Sequence, residues 1–206
     1  MKTPIYTIVL LLFVLNLSQQ LHAQAETTST KTTLLEITAF SNATLLPGSA
    51  TLGVFGEPVH PGISAGLLLP LRNGDKSLLF QSVKLGYFYH QYVQHGISLS
   101  TETGYRYFIS PKFSLETRLV LGYLHTIKAV EAFNFNTETE SYEAQSKIGR
   151  AQFMGGLGLG LVYALTDKLS LLLYYQFYLE MPFVNEYVPI LPNSALHVGF
   201  NIPLIL

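Results

Sequence analysis

The chain reads as an all-β protein, an eight-stranded antiparallel up-and-down transmembrane β-barrel, and three observations predict it. From Val83 to Tyr107 and from Phe113 to Tyr123, lipid-compatible side chains alternate with small, polar or charged ones. The charges in these segments keep to one parity. Turn formers interrupt the alternation at strand-length intervals. Successive side chains of a strand point to opposite faces. Val83, Leu85, Tyr87 and Tyr89 therefore share one face, and Ser82, Lys84, Gly86, Phe88 and His90 the other. The next strand sets Ile97, Leu99, Thr101, Thr103, Tyr105 and Tyr107 against Gly96, Ser98, Ser100, Glu102, Gly104 and Arg106. The one after it sets Phe113, Leu115, Thr117, Leu119, Leu121 and Tyr123 against Ser114, Glu116, Arg118, Val120 and Gly122.

The N-terminus comes first in chain order. Lys2, the apolar stretch Ile8 to Leu17 and the small-residue site ending at Ala23 have the layout of a secretory signal peptide over residues 1–23. That apolar stretch is too short for a spanning helix, which needs about 18 residues or more. Residues 24–48 are expected to form a periplasmic N-terminal lead, and residues 49–206 the barrel. Counting back from the C-terminus gives strands near 194–204, 168–180, 149–165, 113–127, 94–107, 77–92 and 61–71. With both termini periplasmic, one upward strand must precede Pro61. Ser49 to Gly56, turning through Glu57-Pro58-Val59, is preferred for it over the competing Thr33 to Phe40. At eight strands, side chains fill the interior.

The links support this order. Arg72 to Lys76, Ile109 to Lys112 and Thr166 to Lys168 are short and rich in turn formers, as periplasmic turns are. The polar, acidic link from Ala129 to Lys147 and the proline-rich link from Met181 to Asn193 read as extracellular loops. In Ile63 to Leu71 and Leu169 to Phe177 the odd positions face outward, with apolar residues tolerated inward as well. The glycines from Gly155 to Gly160 lack the strand-to-helix context of a nucleotide loop and fit an inward run beside bulky neighbours.

Composition agrees with a wall that faces lipid. Charged residues make up 12% of the chain, about half the ordinary globular share. Losing Lys2 with the signal peptide leaves a small negative net charge, which gives no reason to invoke nucleic acid. There is no Cys, so closure of the barrel must supply stability instead of disulfides. Trp is absent too, and the interfacial girdles fall to Tyr and Phe, with Tyr105, Tyr107, Phe108, Phe113 and Tyr163 at one rim and Tyr87, Tyr89, Tyr92, Tyr123, Phe177 and Phe183 at the other.

Two constellations are candidate sites. An Arg or Lys facing lipid at mid-membrane costs roughly 2 to 4 kcal/mol, so Lys84, Glu102, Arg106, Glu116 and Arg118, all on one face, belong in the lumen as a charge network. His60, His90, His95, His125 and His197 all fall near extracellular strand ends. Gathered there, imidazoles are candidate ligands for a divalent transition metal, with Glu57 or Glu180 as an oxygen donor. A histidine beside Ser98 or Ser194 is a candidate base. The competing reading is that histidine, like tyrosine, suits the interfacial zone, and no HxH or HExxH pair predisposes a zinc site.

The C-terminal pattern polar-x-Gly-x-x-apolar-x-apolar is met by His197, Gly199, Ile202 and Leu204. With it, residues 49–206 resemble the small eight-stranded outer-membrane barrels of the OmpA and OmpX type, from which Pro203 and a final Leu206 in place of an aromatic residue depart. The resemblance implies the outer membrane of a gram-negative bacterium and a monomer. It implies outer-membrane lipid, periplasmic chaperones and the barrel-assembly machinery as partners, and no cofactor. Barrels of this size include lipid A deacylases and palmitoyl transferases. A deacylase-like site would place His and Ser two residues apart on one lipid-facing strand, whereas His95 and Ser98 point to opposite faces. A solute path would be obstructed by inward Lys84, Arg106, Arg118, Phe88 and Tyr174. The sequence therefore predicts a non-enzymatic barrel with a structural or loop-mediated role.

Overall fold

A computed structural model of the chain describes residues 32–44, 59–91, 93–129, 133–136, 140–144, 149–183 and 188–204. The predicted signal peptide, the Ser49 to Gly56 segment, Glu57 and Tyr92 lie outside the described residues. The strands are β1 Leu34–Thr44, β2 His60–Asn73, β3 Ser77–His90, β4 Gln94–Phe108, β5 Phe113–Lys128, β6 Phe133–Asn136, β7 Ser141–Ala144, β8 Arg150–Thr166, β9 Leu169–Met181 and β10 Leu191–Pro203. Eight of them close into a barrel in the order β1-β10-β9-β8-β5-β4-β3-β2, every neighbour antiparallel. The remaining two, β6 and β7, form a separate hairpin within the link from β5 to β8.

One expectation is corrected. The first strand is Leu34–Thr44, the competing segment, so the barrel begins inside what the sequence reading assigned to a periplasmic lead. The reason lies in its register. Leu34 to Thr44 pairs with β10 along its whole length and with β2 from Leu34 to Asn42, which closes the wall. Its alternation places Glu36, Thr38 and Asn42 inward and buried while Ile37 and Ala39 face outward. The backbone N–H of Leu204 donates to the carbonyl of Thr33 at 2.8 Å, just past the end of this ladder. Pro203 sits opposite Leu34 at the same end, where its missing donor is not needed by the ladder.

The other strands lie close to their predicted bounds, and parity is kept along each except at the turn ends of β2 and β8, where the register shifts between Pro70 and Arg72 and between Ala164 and Thr166. Leu119 is 50% exposed and its neighbour Val120 is fully buried. Short turns occupy one end of the barrel. The N–H of Gly74 closes on the carbonyl of Ser77 at 2.8 Å, and Ser110 Oγ accepts from the N–H of Phe113 at 3.1 Å. The β6–β7 hairpin falls within the link from β5 to β8, at the other end. The outward face carries Leu, Ile and Val between Tyr105, Tyr107 and Tyr163 near the turn end and Tyr87, Tyr89 and Tyr123 near the loop end. That inverts the pattern of a soluble barrel, whose enclosed face is apolar and whose outer face is polar.

This wall predicts a depth-dependent cost. Leu119→Arg, at mid-strand, is expected to destabilise the barrel in lipid vesicles by roughly 2 to 4 kcal/mol, and Leu165→Arg, beside the turn after β8, by about 1 or less. Urea unfolding of the vesicle-embedded variants measures both, and equal losses would count against the assignment of this face to lipid.

Candidate functional site

Charge collects on the inward face. Glu36 on β1, Lys84 on β3, Glu102 and Arg106 on β4, and Glu116 and Arg118 on β5 are all buried in the lumen. Arg118 is the hub. Its Nη1 and Nη2 donate to the two oxygens of Glu36 at 3.0 and 2.7 Å, a bidentate fork. Nη1 also reaches Glu102 Oε2 at 2.7 Å, and Nε donates to Glu116 Oε1 at 2.8 Å. Lys84 Nζ pairs with Glu102 Oε2 at 2.9 Å and with Glu36. Arg106 binds Glu116 Oε2 through Nε at 2.9 Å and Nη2 at 2.8 Å. Cations and carboxylates alternate, three of each, so the network is neutral as a whole and every member faces opposite charge.

Aromatic rings hold the network in place. The Arg118 guanidinium carbon lies 4.6 Å from the Tyr174 ring centre and 5.4 Å from that of Phe80. Lys84 Nζ is 5.4 Å from Tyr174, and the Arg106 guanidinium is 5.6 Å from Phe80. These rings fit because small residues face them across the strand. Phe80 lies on Gly104 and Tyr174 on Gly158, and a Cβ at either glycine would overlap the ring. Gly156, Gly158 and Gly160 of β8 thus form the expected inward run beside bulky neighbours, whereas Gly155 lies on the outward face beside Phe153 and Leu121.

Apolar layers flank the charges. Toward the turns lie Leu68, Leu78 and Phe80, with Val162, Leu172 and Tyr174 beside them. Toward the loops lie Phe88, Val120, Leu124, Met154, Tyr178 and Ala195, with Phe40 packed against them. A cavity of about 30 Å³ remains, lined in part by Ser64, Lys84, Ser98, Ser100, Glu102 and His197. That is room for about two waters. Nearer the loops, Gln94 Nε2 donates to both oxygens of buried Glu180 at 3.2 and 3.0 Å, and Thr126 Oγ1 to Gln152 Oε1 at 2.7 Å.

The five histidines do not gather into one site. His60 and His90 point inward and stack, with ring centres 3.4 Å apart. His197 also points inward, but it lies well inside β10, because that strand begins at Leu191 and not near 194 as expected. There its Nδ1 is 3.1 Å from Thr38 Oγ1 and its ring stacks on Phe40. His95 and His125 are on the outward face. Each has its Nδ1 2.9 Å from a tyrosine hydroxyl of the same face, that of Tyr87 and Tyr123 respectively. Among the described residues, no three His, Asp or Glu side chains meet as a metal site would require. Ser98 lines the lumenal cavity while His95 faces out, so these two stand apart.

Sequence reasoning placed five of the six network members and missed Glu36. The missed signal was arithmetic. Three predicted lumenal cations against two carboxylates left one positive charge without a partner, and the alternation around Glu36 supplied the missing acid.

A closed eight-stranded wall, apolar outside and charged within, defines a β-barrel of the outer-membrane type. No protein-family model matches the chain, and no curated protein does. Among solved structures, Neisserial surface protein A covers 84% of this chain and is covered over 97% of its own, at 17% identity and a TM-score of 0.49. Ail, the attachment invasion locus protein of Yersinia pestis, solved with the heparin analogue sucrose octasulfate, is similar over 85% of this chain and 100% of its own, at 12% identity and a TM-score of 0.49. The outer membrane enzyme PagL is similar over 82% and 99%, at 12% identity and a TM-score of 0.47. The barrel assignment rests on the strand pairing of the chain itself.

Removing one charge should be costly and removing a balanced pair less so. Arg118→Met leaves three carboxylates to two cations, one buried negative charge uncompensated, and is expected to cost about 3 to 5 kcal/mol. Glu36→Gln combined with Lys84→Met removes one charge of each sign and should lie closer to the native stability than either single change. Urea midpoints in vesicles read both, and a double variant as unstable as the sum of its parts would contradict direct pairing.

Proposed function

We propose that the protein is an integral barrel of the gram-negative outer membrane, exported by a cleaved signal peptide, that neither conducts solutes nor catalyses a reaction. Its work is structural or is done by the extracellular links, among which the β6–β7 hairpin is the most developed. The observation that carries the reading is the filled lumen. The six-residue charge network and the apolar layers on both sides of it occupy the path that a solute would follow. Absence of catalysis is supported on the lipid side by the partners of His95 and His125, which are tyrosines and not serine or threonine nucleophiles. Outer-membrane lipid, periplasmic chaperones and the barrel-assembly machinery are the partners such a protein requires.

Two assays on the purified, vesicle-reconstituted protein test the reading. Planar-bilayer recording is expected to show no sustained conductance steps, and steady channel activity would overturn the closed lumen. Incubation with radiolabelled lipid A is expected to leave it unchanged, and release or transfer of an acyl chain would replace the structural reading with an enzymatic one.

A further inference from the structure

Three acceptor atoms are left over at the loop end of the lumen. His60 on β2, His90 on β3 and Gln94 on β4 come from adjacent strands, with His90 directly opposite Gln94 and stacked on His60. All three are buried, and among the described residues His60 Nε2, His90 Nδ1 and Gln94 Oε1 have no hydrogen-bond partner. Buried polar atoms are rarely left so, and here they belong to neighbours. The state of His60 is fixed by its other nitrogen. Nδ1 stands 3.2 Å from the carbonyl oxygen of Asn42, which can only accept, so Nδ1 carries the proton and Nε2 presents a bare lone pair. A histidine that gives one N–H to a backbone carbonyl and leaves its other nitrogen unprotonated has the arrangement of a metal ligand.

A charge beside these atoms calls for a cation. Glu180 on β9 is wholly buried, and among the described residues no Lys, Arg or His pairs with its carboxylate. Gln94 Nε2 donates to both of its oxygens at 3.2 and 3.0 Å, which leaves Oε1 of the same amide unpaired. Arg150, on the neighbouring strand β8, instead donates to the carbonyl of Phe183 and lies over the Phe183 ring. A buried carboxylate without a counter-charge is costly, and the lumenal network, neutral by itself, leaves no cation over. Two imidazole nitrogens with an amide oxygen suit zinc, copper or nickel better than calcium or magnesium. We propose that His60, His90 and Gln94 ligate a divalent transition-metal ion at the loop end of the lumen, with Glu180 behind Gln94 supplying negative charge. Nitrogens that share one ion at roughly 2.0 to 2.1 Å stand about 3.4 Å apart in a tetrahedron. The two rings stack with centres 3.4 Å apart, so a turn about Cβ–Cγ brings both nitrogens onto one ion. Gln94 takes the place of a third His, Asp or Glu, and water completes the coordination, as in open zinc sites.

Zinc, and cobalt as its spectroscopic stand-in, test this on the whole barrel in detergent micelles. The unaltered protein is expected to bind one ion, with the visible cobalt absorption of nitrogen ligation. His60→Gln and His90→Gln should each weaken binding at least about tenfold, and Glu180→Gln by roughly 10 to 100-fold. His95→Gln and His125→Gln, on the outward face, should leave it unchanged. Heat-dependent gel migration reports whether each variant is folded. Should His60→Gln or His90→Gln fail to fold, the ring-nitrogen NMR shifts of the unaltered protein decide, since zinc is expected to move those of His60 and His90 and not those of His95, His125 or His197. No binding of either ion, binding that survives the loss of His60 and His90 together, or zinc-dependent shifts confined to the outward histidines would overturn the proposal.

Discussion

Moving a guanidinium out of water costs several kcal/mol, and only well-aimed opposite charges offset it. Arg118 is among the most deeply buried side chains of this barrel, and the architecture around it meets that requirement. Glu36, Glu102 and Glu116 approach it from three strands, β1, β4 and β5, that only a closed barrel brings to one point. The carboxylates from β1 and β4 then need Lys84, and Glu116 takes Arg106 as its second partner. Strand register, glycine placement and aromatic packing all follow from seating this group. Shifting any one of these strands by one residue would turn its charges toward lipid.

The same constraint explains why the lumen is closed. A neutral, fully paired network has no charge left to hold a hydrated path open, and the Phe80 and Tyr174 rings cover the guanidinium of Arg118. Apolar layers above and below separate the ion pairs from bulk water, which strengthens them. The filled interior is thus the part of the molecule that fixes its shape.

Much of this was legible in the sequence because the membrane imposes a period of two with a heavy penalty for error. Parity alone placed Lys84, Glu102, Arg106, Glu116 and Arg118 inside, and turn residues located seven strands within a few residues of their ends. The first strand was misplaced for a physical reason. Leu34 to Thr44 and Ser49 to Gly56 are both short and half apolar, and what separates them is a long-range pairing with β10 that local pattern does not encode. Losing that strand also lost Glu36. The histidines illustrate a second limit. Nearness to a strand end suggested one cluster, whereas parity, which already set His90 inward, divides them, and the fold sends His60, His90 and His197 inward and His95 and His125 outward.

The central claim is that the alternation separates lipid from lumen, and the absence of tryptophan from the chain allows a direct measurement. Single tryptophans at Leu121, on the outward face, and at Phe88, in the lumenal core, are introduced one at a time, and the protein is reconstituted in lipids brominated at the acyl chains. The account predicts strong quenching of fluorescence for Leu121→Trp and little for Phe88→Trp. Equal quenching at the two positions, or the reverse order, would contradict it.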